Sequence, residues 1–241
     1  MRTLEDLKIK IFADGADFNG IVEMSKNHMV KGFTTNPSLV AKAGEADYED
    51  FARRVIAAAP DKPVSFEVFL DDFPGMIQQG RTIASWGPNV NAKVPVMNTR
   101  GEFAGEAIAA LSAEGVVLNV TAIFTPAQVR MVAEALAPDV PAIVSVFAGR
   151  IADTGLDPLP LMQECLDILK MRPKAELLWA STREVLNIYQ ANDIGCHIIT
   201  APNDLIKKLS LAGKNLDAYS QETVLAFYQD ATASGFNIAI K

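Results

Sequence analysis

Short runs of β-branched and apolar residues recur along the chain at 8–14, 31–35, 63–69, 90–95, 116–123, 142–147, 176–181 and 197–201. Near-continuous apolar runs of this length predict parallel strands covered on both faces. Between them the apolar spacing changes to three and four. Tyr48, Phe51, Val55 and Ile56 follow it, as do Ala104, Ile108 and Leu111. Val129, Val132, Ala133 and Leu136 do the same after Thr125-Pro126, an N-cap residue followed by proline at the first helical position. Met162, Cys165 and Leu169 mark another helix, and Leu205, Ile206 and Leu209 mark one after Pro202. Most gaps are long enough for the crossovers that parallel strands need. Eight strands, each followed by a helical segment, predict an α/β chain folded as a (β/α)8 TIM barrel, with residues 1–241 as a single domain. A doubly wound open sheet is the alternative, but no G-x-G-x-x-G or P-loop follows any strand. Segment 217–234 reads as one more helix, a C-terminal extension that packs on the barrel or reaches a neighbouring subunit of a homo-oligomer.

Composition narrows the function. Apolar residues make up 49% of 241 residues, enough for a sizeable core. Lysine and arginine number 22 against 29 acids, for a net charge of −7. With no basic run, that balance argues against a nucleic-acid binder, while a small anionic substrate stays compatible with a few local arginines. Cys165 and Cys196 are too few for a disulfide framework or a four-ligand zinc site and read as reduced thiols. The first ten residues carry no hydrophobic signal core, and no stretch approaches the ~18 apolar residues of a membrane span. The expectation is a cytoplasmic protein with no membrane partner.

In a barrel of this kind the reactive groups gather at the carboxyl ends of the strands. Asp14 closes the first run and Thr34-Thr35-Asn36 the second. Glu67 interrupts the third, Lys93 stands in the fourth, and Asn119 and Thr121 lie in the fifth. Ser145 and Arg150 belong to the sixth and its loop, and Ser181 and Arg183 end the seventh. Core packing does not ask for a polar group at the end of each of seven strands.

Lys93 lies among Ala92, Val94, Pro95 and Val96, where an ammonium is costly to bury. A buried lysine commonly loses its proton, and a neutral amine in a partly apolar pocket can attack a carbonyl to form a Schiff base. Alone, Lys93 is more commonly a lysine that reaches the rim or pairs with Glu67 structurally. Glu67 and Asp14 change that balance, because Schiff-base chemistry needs proton carriers for dehydration and for carbon–carbon cleavage. No histidine falls at a strand end in a metal-ligand arrangement: His28 sits in a helix-like segment and His197 opens the eighth strand. Arg150 and Arg183, in adjacent late loops, suit a phosphate, although a single surface arginine is usually just solvated.

These residues resemble a known family. Thr34-Thr35-Asn36-Pro37-Ser38 is similar to the Thr-Thr-Asn-Pro-Ser signature of the transaldolases, and Lys93-Val94-Pro95 to the segment around their Schiff-base lysine. Ser112-Ala113-Glu114-Gly115 with Asn119-Val120-Thr121 matches the next segment. Ser145-Val146-Phe147-Ala148-Gly149-Arg150 and Ser181-Thr182-Arg183 fall where the family binds phosphate. The resemblance runs from about residue 8 to 210, in order on consecutive strands.

It implies a Schiff-base enzyme acting on sugar phosphates without metal or organic cofactor. Lys93 would form the imine, Asp14 would accept the hydroxyl proton, and Glu67 would move protons through a water held by Thr121. Thr34, Asn36 and Asn119 would bind substrate hydroxyls, with Ser145 and Phe147 lining the pocket and Arg150, Ser181 and Arg183 holding phosphate. The fructose-6-phosphate aldolase branch has glutamine at the position of Glu67 and tyrosine at that of Phe147; this chain has the transaldolase-like residue at both. Gly15, Trp179 and Glu184 depart from the family pattern, and Glu184 would weaken an anion site beside Arg183. Three readings follow: transfer of a dihydroxyacetone unit, an aldolase that releases dihydroxyacetone, and a non-catalytic sugar-phosphate-binding barrel.

Overall fold

The computed structural model describes residues 3–239; the ends of the 1–241 span, residues 1–2 and 240–241, lie outside them. Eight parallel strands close into a barrel in sequence order. They are β1 (Lys10–Asp14), β2 (Val30–Thr34), β3 (Val64–Glu67), β4 (Val90–Pro95), β5 (Leu118–Ile123), β6 (Ala142–Val146), β7 (Ala175–Trp179) and β8 (Ile198–Pro202). Helices fill every crossover: α1 (Phe18–Ser25), α2 (Pro37–Lys42), α3 (Tyr48–Ala58), α4 (Phe73–Ala84), α5 (Gly105–Ala113), α6 (Pro126–Ala135), α7 (Ala148–Asp153), α8 (Pro158–Leu169) and α9 (Val185–Asp193). After β8 come α10 (Asn203–Lys208) and α11 (Leu216–Ala233). The chain is a TIM barrel with an extra C-terminal helix.

Period-two alternation sorts each strand into two faces. The outward residues, among them Phe33, Phe66, Val94, Val120, Val144, Leu177 and Trp179, share one core with the helices. Such fully buried aromatics are worth roughly 3–5 kcal/mol each against alanine. The inward residues divide the barrel interior. Phe12, Ile143, Leu178 and Ile198 form a separate apolar cluster inside it. Opposite them sits a polar layer: Asn119 Nδ2 donates to Ser65 Oγ at 3.0 Å, and Ser145 Oγ donates to Asn119 Oδ1 at 2.6 Å. Phe12 fills the interior beside Gly32, where a Cβ would meet the ring at 2.6 Å, so β2 needs glycine at that place.

Capping explains the crossovers. Asn36, Asp47, Asp72 and Thr125 each accept from the first turn of the helix they precede. Two expectations need correction. His28 lies in a turn after α1 rather than in a helix. The seventh strand ends at Trp179, leaving Ser181 and Arg183 in the following loop, because Ser181 adopts a φ of 66° that no strand can contain.

Candidate active site

The parallel register brings the charged residues together. Glu67 stands beside Lys93 across β3 and β4, Lys93 beside Asn119 across β4 and β5, and Asp14 beside Thr34 across β1 and β2. A cavity of about 110 Å³ opens beside Lys93, lined by Asp14, Thr34, Asn36, Lys93, Thr121, Ser145, Phe147, Arg150, Leu178, Ala180, Ser181 and Thr200; Glu67 is not part of that lining and meets it through Lys93. Wider depressions exist elsewhere. One of about 430 Å³ at the opposite end of the barrel carries Lys10, Lys31, Lys174 and Glu176 on an apolar floor. Its Lys10–Glu176 pair, 2.8 Å apart, is open to solvent at 51% and 34% side-chain exposure, unlike a shielded catalytic pair, so volume is a poor guide to the chemistry here.

Lys93 Nζ lies 3.0 Å from Glu67 Oε2 and donates to the Thr35 carbonyl at 3.0 Å. The pair is well shielded, with side-chain exposures of 8% and 19%. The lysine is therefore not isolated: a carboxylate able to exchange its proton is built in. Glu67 is positioned through its backbone, whose N–H donates to Tyr48 Oη at 2.9 Å while the Tyr48 hydroxyl donates back to its carbonyl at 3.3 Å. Burial pushes the Tyr48 phenol up to about 12, so it stays a neutral donor.

Asp14 faces the same cavity. Burial pushes its carboxyl above the ordinary carboxylate value, opposed by the hydrogen bond from Thr34 and the charge of Lys93, with Glu67 adding to the rise. Thr34 Oγ1 donates to Asp14 Oδ1 at 2.8 Å and meets Thr200 Oγ1 at 2.6 Å. When Asp14 is ionised it takes the Thr34 proton, and Thr200 is then the donor in that second contact. A hydroxyl relay thus runs from β8 through β2 to β1.

Thr121 is buried, faces the cavity, and its hydroxyl has no hydrogen-bond partner among the described residues. A buried hydroxyl in that state is a ready site for a water or a substrate oxygen. Period two turns Thr121 to the same inward face as Asn119, and just after it the β5–β6 register shifts between Val120 and Ile123, where Ala122 takes a φ of 59°. Strand irregularities of this kind are common at barrel rims. Asn36 spends Oδ1 on the Leu39 N–H, which leaves its Nδ2 for the cavity.

Two residues are placed otherwise than expected. Asn119 is fully buried and committed to Ser65 and Ser145, so it supports the cavity floor and does not line it. Arg183 is absent from the lining; its guanidinium is bound bidentately by Asp153. Arg150 does line the cavity, with its Cζ 5.1 Å over the Phe147 ring. Glu184 is no part of the site. Asn187 Oδ1 accepts from the backbone of Arg183 and Glu184, fixing Glu184 at the start of α9. Trp179 packs in the outer core and His197 Nδ1 accepts from the Leu177 N–H, which makes both structural. Among the described residues, no three His, Cys, Asp or Glu side chains cluster as a metal site.

Residues 11–239 match the transaldolase/fructose-6-phosphate aldolase family. The chain belongs to that family. A probable transaldolase of Sulfurihydrogenibium is 35% identical over 205 residues, covering 84% of this chain and 89% of the relative. Probable transaldolase 2 of Listeria monocytogenes is 34% identical over 218 residues, covering 89% and 95%. Probable transaldolase of Nitrosopumilus maritimus is 36% identical over 203 residues, covering 83% and 87%. Among solved structures, a candidate phosphonomutase from Burkholderia cenocepacia is 14% identical with a TM-score of 0.57, covering 92% of this chain and 94% of its own. A flavocytochrome b2 variant with sulfite bound is 12% identical with a TM-score of 0.58, covering 84% and 59%. Those two likenesses concern the barrel alone. Membership in the transaldolase/fructose-6-phosphate aldolase family places the chain among aldolase-type enzymes. No helix among the described residues is long and apolar enough to cross a membrane.

Proposed function

We propose that this protein is a transaldolase. It moves a dihydroxyacetone unit from a ketose phosphate, of the fructose 6-phosphate or sedoheptulose 7-phosphate type, to an aldose phosphate acceptor. The observation that carries the reading is Lys93 Nζ held 3.0 Å from Glu67 in a chamber shared with Asp14 and the unpartnered Thr121 hydroxyl.

With its proton passed to Glu67, Lys93 attacks the ketone carbon to give a carbinolamine. Glu67, through a water held by Thr121, returns a proton to the departing hydroxyl, and water leaves as the iminium forms. Ionised Asp14 then takes the proton from the substrate C4 hydroxyl. The C3–C4 bond breaks, its electron pair flows into the iminium, and the aldehyde departs. The enamine left on Lys93 attacks the carbonyl of the second aldehyde; the same proton transfers in reverse, and hydrolysis frees the new ketose. Thr34, Asn36 and Ser145 hold the hydroxyls, Asn119 fixes Ser145 from below, and Arg150 meets the distal anion beside Ser181. Glu67 favours transfer over release, because glutamate carries a proton that glutamine cannot.

The proposal extends to a homo-oligomer. None of α11 is buried, and Val224, Leu225, Phe227 and Tyr228 all face solvent, which suits a helix seated on a second copy. The function is tested by following free dihydroxyacetone from fructose 6-phosphate with and without an aldose phosphate. Transfer predicts little free dihydroxyacetone and a new ketose phosphate that appears only with the acceptor. Release undiminished by the acceptor would make it an aldolase, and no turnover with either would leave a binding barrel.

A further inference from the structure

A second arginine stands beside the cavity and is withheld from it. Arg183 Nε donates to Asp153 Oδ1 at 3.0 Å and its Nη2 to Oδ2 at 2.5 Å, the bidentate geometry in which arginine binds carboxylates most strongly. Asp153 ends α7, the helix that carries Arg150, and its carboxylate feels both guanidiniums. Arg183 starts from the same corner: a Cβ on Gly149 would come within 3.3 Å of its Cγ. The arginine that remains on the cavity wall among the described residues is Arg150. The Asp153–Arg183 pair is about half exposed on both sides, at 52% and 46%, so it adds little to stability. Its effect falls instead on the charge offered at the cavity mouth.

We propose that Asp153 sets the phosphate selectivity of this site. By occupying Arg183 it leaves Arg150 alone to meet a dianion, and the site favours phosphorylated over unphosphorylated ketoses by less than two free arginines would allow. The inference rests on the function proposed above and adds its substrate range. A phosphate that recruited Arg183 would have to strand the Asp153 carboxylate beside itself, a like-charge contact that cancels much of the gain.

Inorganic phosphate titrated into the whole chain by calorimetry tests the charge argument without turnover. Asp153→Asn should bind phosphate about tenfold tighter or better, the effect of one added charge-assisted contact. The same substitution should raise the ratio of kcat/KM for fructose 6-phosphate over fructose by a similar factor. Asp153→Asn with Arg183→Ala should lose the gain. Glu184→Gln, which removes a unit charge nearby without touching the pair, should change phosphate affinity by less than about threefold. Asp153→Ser provides a second variant should the asparagine protein fold poorly. Equal phosphate affinity in Asp153→Asn and the parent would overturn the inference, as would an equal gain from Glu184→Gln. Borohydride trapping on Lys93 in the same preparations reads the function separately. Adducts with unchanged selectivity defeat the Asp153 inference alone, whereas failure to trap any ketose defeats the catalytic reading.

Discussion

At the scale of single residues, Asp14 couples chemistry to stability. Burial holds its carboxyl above the ordinary value, while the Thr34 hydrogen bond and the Lys93 charge pull it down. If ionised Asp14 accepts the substrate proton, the acid limb of kcat/KM lies above the usual carboxylate range. Thr34→Val removes a donor to the charged form and should move that limb higher still, with the loss of rate greatest at low pH. Thr200→Val should shift it the same way by less, since Thr200 acts through Thr34. A pH profile unmoved by Thr34→Val would count against the relay. The stability sign is the reverse of an ordinary salt-bridged acid. With the folded value raised, the native state binds the proton more tightly, so this group's contribution falls as pH climbs from the unfolded value through the folded one. Asp14→Asn should therefore be inactive yet melt higher than the parent at neutral pH, measured by calorimetry. The grouping of Lys93, Glu67 and Asp14 was legible in the sequence because each sits near the end of a strand of one barrel, although each alone has an ordinary structural reading. Thr200 and Ser65 were not, since a short hydroxyl in a strand is ordinary, and Tyr48 read as helix core from its spacing with Phe51 and Val55. Asp153 drew no attention in the sequence, because its partner lies 30 residues further along the chain.

At the scale of elements, the loops after β6 and β7 are locked together at one point. A Cβ on Gly149 would fall 1.6 Å from the Ser181 carbonyl oxygen, and Ser181 itself holds a φ of 66°. Gly149→Ala must push the two loops apart, at a cost of about 1–3 kcal/mol. Because Arg150 rides on α7 and Ser181 on the loop after β7, KM for a phosphorylated ketose should rise more than kcat falls. Steady-state kinetics and chemical denaturation together check this; a wild-type KM in Gly149→Ala would show that the lock does not position the anion end. The strands themselves were legible, since apolar runs flanked by turn residues survive to the barrel with small shifts at their ends. The exceptions were backbone matters. Nothing in Leu178-Trp179-Ala180-Ser181 announces that the chain turns left-handed at its last residue, and nothing in Val120-Thr121-Ala122 announces the register shift that follows Thr121.

At the scale of the whole molecule, the closed barrel fixes the catalytic groups while α11 stands apart from its core. Phe227 and Tyr228 are 68% and 70% exposed, and the helix buries none of its residues against the barrel. Truncation after Asn215 should leave the melting transition of the barrel nearly unchanged while lowering the particle mass measured by light scattering; an unchanged mass would remove α11 from the oligomer interface. The segment was legible as a helix but its exposure was not, because an apolar residue reads alike whether it meets the same chain or another. The central claim remains that Lys93 becomes covalently bonded to a ketose. Borohydride reduction in the presence of fructose 6-phosphate, read by intact mass and peptide mapping, tests it most directly. The account predicts a substrate-derived mass on the peptide carrying Lys93, none in Lys93→Ala, and none in Lys93→Arg, whose guanidinium cannot serve as the amine. Full turnover by a folded Lys93→Ala protein, or a trapped adduct on another lysine, would contradict it.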